Sequence, residues 1–401
     1  MKFLLDCRLR DMLDAESQRM KTDRPAVLIN DSAAKSPGFG TDHPLAIPRV
    51  ATVFALCETL GWIAAGQLRE SPEASEAELS QFHDPEYIAA LREAEAAGVA
   101  SVQVRERFRI GTRENPLFPG LFSRAAASVG GSVLAADLAL QGHVVFHPSG
   151  GTHHGRPASA SGFCYFNDPV FALRRFAAHG LTRILYVDLD AHHGDGVQDA
   201  VRDDPRIHTF SIHEENRWPF TGGADDRGGG RSVNLPVPKG FHDAELQFLM
   251  HAVVLPRARQ VQPEAMVITC GADGLAGDPL CGMELSNVAL WKAVAELIEL
   301  APAAVVLGGG GYNPWTVARC WSGLWGILSG RHIPMELPPG GQRILAGLSC
   351  DLIDEDEVDP LWLRTLADPS QHRPVRAAVS DLALRVCPET GVLRSKLPIV
   401  R

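Results

Sequence analysis

The sequence predicts an α/β protein with a mostly parallel central β-sheet flanked by helices, its reactive residues gathered at the C-terminal ends of the strands. Three observations carry this. Apolar runs such as ILYVDLD and AAVVLGG are continuous rather than alternating, as suits strands buried on both faces. Strand-length runs alternate with helical patterns, which implies βαβ units. The chain has 401 residues, 45% of them hydrophobic and 21% charged, an ordinary globular balance with room for a large core.

In order, the expected strands are Ala26–Asn30, His143–His147, Arg183–Asp190, His208–His213, Ala265–Cys270 and Ala303–Leu307. Helical periodicity falls between them, at 48–66, 84–97, 123–141, 168–179, 242–260 and 285–300. Residues 1–24 are charged and lack proline up to the last of them, and read as an N-terminal arm or helix. Residues 25–335 read as one domain. The Pro/Gly cluster near 334–341 opens a C-terminal appendage, 336–401, which carries Trp362, Leu363 and Leu366 and is expected to pack on that domain.

Composition narrows the function. Lys+Arg is 38 against 48 Asp+Glu, a net charge of −10, and no basic patch stands out, so direct nucleic-acid binding is disfavoured. Eight cysteines are scattered without a CxxC pair, which argues against a disulfide scaffold and fits a reducing compartment. The opening MKFLLDCRLRD has too short an apolar run for a signal peptide, and no stretch approaches the ~20 apolar residues of a membrane span. A soluble, cytoplasmic protein is expected.

Four of the strands end in unusual chemistry: SGGTHHG with His153 and His154; DLDAHHGDG with Asp188, Asp190, His192, His193 and Asp195; CGA followed by Asp273; and GGGGY ending in Tyr312. In an open α/β sheet, ligands bind beyond the carboxyl ends of the strands, so these clusters are expected to converge. Side chains at i, i+2 and i+4 of an extended segment share a face. Asp190 and His192 therefore supply two zinc-type ligands, Asp273 is the natural third, and a fourth position stays open for water and substrate. Single acids at strand ends often do no more than cap the next helix; the assembled constellation is what favours a metal. One imidazole of the His153–His154 pair can act as general base, and Asp188 and Asp195 suffice to orient both rings. The Tyr312 phenol, presented by a glycine run, can stabilise an oxyanion. A nucleotide-binding glycine loop lacks the GxGxxG register and the Lys-Ser/Thr that should follow. A two-metal ureohydrolase expects a carboxylate two positions after His192, where the chain has Gly194, so one metal is favoured.

SGGTHHG, ASGFCYFND, ILYVDLDAHHGDGVQD, CGADGLAGDPLC and LGGGGYNPWTVARCW together resemble the zinc-dependent histone deacetylase family, over about residues 26–335, with a flavour of the class I-like bacterial acetoin-utilisation deacetylases. The resemblance implies the arginase/deacetylase fold and one Zn²⁺ held by Asp190, His192 and Asp273. It implies His154 as general base held by Asp195, His153 as its neighbour held by Asp188, and Tyr312 as the transition-state hydroxyl. Gly162 and Phe163 would form one wall of a narrow tunnel for the acyl-lysine stem, with Trp218 opposite. Arg49 would stand near an internal acetate channel, and a structural K⁺ near Asp188, Asp190, His192, Ser211 and Ile212. Two positions depart from the family: Glu114 stands where a rim Asp grips the substrate backbone, and Thr152 is smaller than usual before the two histidines.

The resulting expectation is a metal-dependent hydrolase of acetyl (acyl) amides on protein lysines, releasing acetate. The alternative substrate is an acetylpolyamine or another small acyl amide. A binding module with a dead site is opposed by the intact ligand set and Tyr312. An oligomer is compatible with all of these.

Overall fold

The computed structural model describes residues 24–35, 38–40, 42–369, 371 and 373–388. The expected N-terminal arm lies outside them, apart from Arg24.

An eight-stranded sheet forms the centre: β1 (Ala26–Asn30), β2 (Leu68–Glu70), β3 (Val144–His147), β4 (Ile184–Asp188), β5 (Ile207–Glu214), β6 (Ser232–Val237), β7 (Ala265–Thr269) and β8 (Ala303–Leu307). The order is β2-β1-β3-β8-β7-β4-β5-β6, and every neighbouring pair is parallel. All six expected strands are present, trimmed by one or two residues at some ends, while the fourth gains one residue at each end, Ile207–Glu214. The two unexpected strands are the sheet's edges. β2 is three exposed residues, too short to show a period, and β6 contains Pro236, which an edge strand tolerates because it needs only one set of ladder hydrogen bonds.

The continuous apolar runs work as anticipated. Leu185 and Val187 join the core on one face of the sheet, while Ile184 and Tyr186 join the core on the other. The first face is covered by α1 (Arg49–Thr59), the second by α2 (Leu121–Leu140) and α3 (Asp168–Ala178); α4 (Asp195–Val201) follows β4. Returning to the first face are α5 (Asn287–Ile298) and α6 (Pro314–Leu328), followed by α7 (Pro339–Ala346) and α8 (Ala377–Val386). Two helical patterns differ from expectation. The first ends at Thr59, before Gly61 at positive φ, and that expected at 242–260 is broken into α, π and α segments.

Residues beyond 335 share the same apolar core: Leu345, Leu366, Val379, Ala383 and Val386 are all buried in it. Arg376 locks this region down with a two-pronged ion pair to the buried Glu245, at 2.7 and 2.6 Å. No helix among the described residues is long and apolar enough to cross a membrane.

Candidate active site

The strand order explains why four separate motifs meet. β3, β8, β7 and β4 are consecutive neighbours, so the segments leaving their carboxyl ends run side by side. The chain passes from β3 to β4 early and inserts β7 and β8 between them later, which creates the crevice.

Asp190, His192 and Asp273 are buried, and one ligand atom from each lies within 4.8 Å of the others. His192 Nδ1 donates to Asp273 at 2.8 Å and faces Asp190 at 3.2 Å. Burial alone would depress its pKa, but the two carboxylates raise it to about 10. A proton on this nitrogen thus supplies the positive charge that two buried carboxylates demand. A divalent cation meets the same demand better, and two carboxylate oxygens with one imidazole nitrogen are a zinc-type donor set. The residues fit the metal.

The GGGGY loop closes over this group. Gly310 N–H donates to Asp190 at 2.6 Å, and a Cβ at Gly310 would collide with the Asp273 carboxylate, so only glycine permits the approach. Tyr312 follows, just before Asn313, whose side chain caps the N-terminus of α6 by accepting from Trp315 and Thr316 N–H. Burial, then Asp273 and Asp190, push the Tyr312 phenol well above its ordinary pKa, which keeps it a hydroxyl donor.

His153 Nδ1 donates to Asp188 at 2.7 Å, and His154 Nδ1 donates to Asp195 at 2.8 Å. The two rings lie 3.9 Å apart between centroids. Despite burial, Asp188 and Asp190 raise His153 to about 9. Burial and then the neighbouring charge on His153 lower His154 to about 3.

Above these groups a cavity of about 640 Å³ is lined by Glu114, His154, Gly162, Phe163, His192, Trp218 and Tyr312, together with Asn216, Arg217, Phe220 and Leu280. Phe163 stands 5.9 Å from the Tyr312 ring and Trp218 4.6 Å from the His154 ring. Gly162 has φ 53°, and a Cβ there would strike both Trp218 and His154. Glu114 is at the mouth, where its carboxylate accepts from Gly162 N–H at 2.9 Å. Arg49 does not line this cavity; it points inward behind the glycine loop, donating to Gly309 O at 2.7 Å. Asp188 and Ser211 lie opposite one another in β4 and β5. Their side chains are engaged, Asp188 with His153, Tyr186 and Asp190 N–H, and Ser211 with His213.

Several supporting residues escaped sequence reasoning. Arg156 is bonded to Asp195, the partner of His154. Asp278 accepts from Tyr312 N–H at 2.7 Å and Leu280 N–H at 2.9 Å, and Asn115 accepts from Phe163 N–H at 3.0 Å. Asp168 accepts from the main chain of Gly151 and Thr152, steadying the turn before the two histidines. Arg156, Asp168 and Asp278 sit inside or beside the quoted motifs, and Asn115 directly follows Glu114; that adjacency is the one signal that pointed to them.

A sheet with this strand order and a buried Asp-His-Asp group beneath an aromatic-walled cavity defines a metal-dependent hydrolase of the arginase/deacetylase class. The sequence model of the histone deacetylase domain matches residues 43–328. The acetoin utilization protein AcuC of Bacillus subtilis is 31% identical over 331 residues, covering 79% of this chain and 85% of that protein. Histone deacetylase 1 of Homo sapiens is 32% identical over 330 residues, 80% and 68% of the two chains. The crystal structure of an HDAC homologue from Aquifex aeolicus superposes with a TM-score of 0.85 at 35% identity, over 90% of this chain and all of that one. A structure of an HDAC homologue complexed with SAHA matches equally well. The chain belongs to the histone deacetylase family and is a zinc-dependent deacetylase.

Proposed function

We propose that the protein hydrolyses the acetyl amide of lysine side chains in proteins, releasing acetate and the free amine. The observation that carries this reading is the cavity itself: aromatic walls flank a shaft at whose base stand a neutral imidazole, a phenol hydroxyl and the Asp-His-Asp group.

Asp190, His192 and Asp273 would hold the zinc ion, which when bound supplies Lewis-acid polarisation of the amide carbonyl and acidifies water. His154, neutral at ordinary pH, accepts the proton of the attacking water and passes it to the departing amine nitrogen. Asp195 fixes the ring so that Nε2 is the accepting atom. His153, held charged by Asp188 and Asp190, keeps His154 from protonating prematurely and offsets developing negative charge. The Tyr312 hydroxyl donates to the oxyanion. Phe163, Gly162 and Trp218 flank the alkyl stem and exclude water, while the free oxygen of Glu114 is the one available to a substrate N–H. Arg49, turned inward behind the glycine loop, would meet released acetate if it leaves through the interior. We further infer a potassium ion beside Asp188, Asp190, His192 and Ser211. Backbone and side-chain oxygens of these residues and Ile212 would hold it, the hydrogen bonds of Asp188 and Ser211 leaving acceptor lone pairs free. A cytoplasmic setting, acetylated protein as the substrate partner, and no direct nucleic-acid or membrane contact belong to the same proposal.

The test is kcat/KM of the zinc-loaded protein on an acetyl-lysine peptide and on N-acetylputrescine, with a chelator control. A preference for the peptide of ~10-fold or more, about 1.4 kcal/mol of discrimination, is expected. The reverse preference would replace the lysine reading with a small-amine amidohydrolase.

A further inference from the structure

Phe220 is the most exposed large apolar side chain among the described residues, at 74%. It also has φ 60°, the left-handed region that favours glycine and is uncommon for a bulky residue. Neither feature comes from a loose loop. On one side of Phe220, Arg217 is clamped to Glu214 and donates to Leu280 O at 2.6 Å. On the other side, buried His193 bonds Thr221 at 2.7 Å and buried His213 bonds Gly222 O at 3.0 Å. The loop is pinned at both ends, and an aromatic ring is held out into solvent at the tunnel mouth.

The ring separates two concavities. One is the catalytic cavity; the other is a groove of about 540 Å³ that shares Asn216 and Phe220 with it. The groove is mixed: Ala224, Pro236 and Pro238 from the β5–β6 side and Ala378 and Leu382 from α8 form an apolar strip, flanked by Glu215, Asp381 and Arg385. An ion pair between Arg385 and Asp225 ties α8 to that side. A lone exposed apolar residue needs no explanation, but a strained one joining a catalytic shaft to a partly apolar groove does.

We propose that this groove is a substrate subsite: it takes an apolar side chain from the polypeptide flanking the acylated lysine, with Phe220 as the ridge over which the chain passes. The inference rests on the protein-lysine reading and names what such a substrate must carry beside its lysine. A small acetylated amine has no segment to place there. The rim shared with the catalytic cavity at Asn216 and Phe220 is what selects this occupant over a separate partner protein.

The experiment uses the zinc-loaded full chain and a heptapeptide with central acetyl-lysine and serine at all six flanking positions. Six further peptides each carry a single leucine, and N-acetyl-lysine amide serves as the unflanked substrate. At one flanking position, leucine is expected to raise kcat/KM ~10-fold over the all-serine peptide. Ala378→Trp, at an exposed position where bulk fills the groove, is expected to bring that ratio below about 2. Phe220→Gly, which relieves the backbone, should lower the same ratio with no loss of thermal stability. A flat leucine scan, or a ratio untouched by Ala378→Trp in a folded protein, overturns the subsite. Turnover of N-acetylputrescine with none on any acetyl-lysine substrate overturns the lysine reading beneath it, a distinguishable failure.

Discussion

His153 and His154 are adjacent in sequence, both buried, and each donates Nδ1 to a carboxylate at nearly the same distance, yet one is raised to about 9 and the other lowered to about 3. The difference lies in the company each pair keeps. His153 faces a second anion, Asp190, whose Oδ1 is 3.7 Å from its Nε2. His154 faces the charge on His153, and its own carboxylate is shared with the Arg156 guanidinium. Two chemically identical dyads thereby differ in protonation, one imidazole charged and one neutral, and the split comes from the environment rather than the hydrogen bond to the carboxylate.

The most drastic way to break this contrast is Asp190→Asn, which removes a carboxylate of the candidate metal group and the second anion of His153 together. Deacetylation should fall by ~10⁴-fold or more, since the several kcal/mol of charge stabilisation supplied by the metal is lost. Metal content after dialysis, measured beside the rate, separates ligand loss from misfolding.

Next in size is the direct comparison. His154→Ala should cost ~10³-fold in kcat, within the range for loss of an acid–base group, and His153→Ala about tenfold less. If His153→Ala proves the more damaging, the two roles must be exchanged.

Metal uptake sharpens the comparison through the third imidazole. His192 is protonated when no metal is bound, with a pKa of about 10, and must be neutral to ligate. Below that pH each ion bound therefore displaces about one proton, and apparent affinity should rise ~10-fold per pH unit between pH 6 and 8. An affinity independent of pH would falsify the placement of that proton.

The smallest effect is expected from Arg156→Met. Without the guanidinium, Asp195 faces His154 alone and favours the imidazolium, so the pKa of His154 moves up. The acid limb of the kcat/KM profile should shift to higher pH, while the rate at pH 8 changes only ~3-fold or less, as for loss of a supporting group. A limb that stays in place removes Arg156 from the control of His154.

Much of the candidate site's geometry could be read in advance because its residues come in short motifs. Asp188, Asp190 and His192 alternate along one extended segment, so their common face follows from strand geometry alone. The edge strands could not be read, since Leu68–Glu70 is too short for periodicity and Pro236 argues against a strand wherever its edge position is unknown. α6 was missed as well, although Asn313 and Pro314 mark its start: all of its residues are buried, Thr316, Arg319 and Ser322 included, so its polar positions do not mark a solvent face. For Arg49 the resemblance implied an interior position, and what only the structure supplies is its partner, Gly309 O behind the glycine loop.

Local chemistry by itself determined the strand runs, the metal donor types, the paired imidazoles and the glycines that let a loop approach them, because each depends on residues within a few positions of one another. The sheet order, which sets β3, β8, β7 and β4 side by side, was decided only by the tertiary structure. So were the unequal protonation of His153 and His154 and the exposed ridge of Phe220 beside α8. These depend on groups tens to hundreds of residues apart, and the charge or surface one meets on the other is defined only once the core has brought them together.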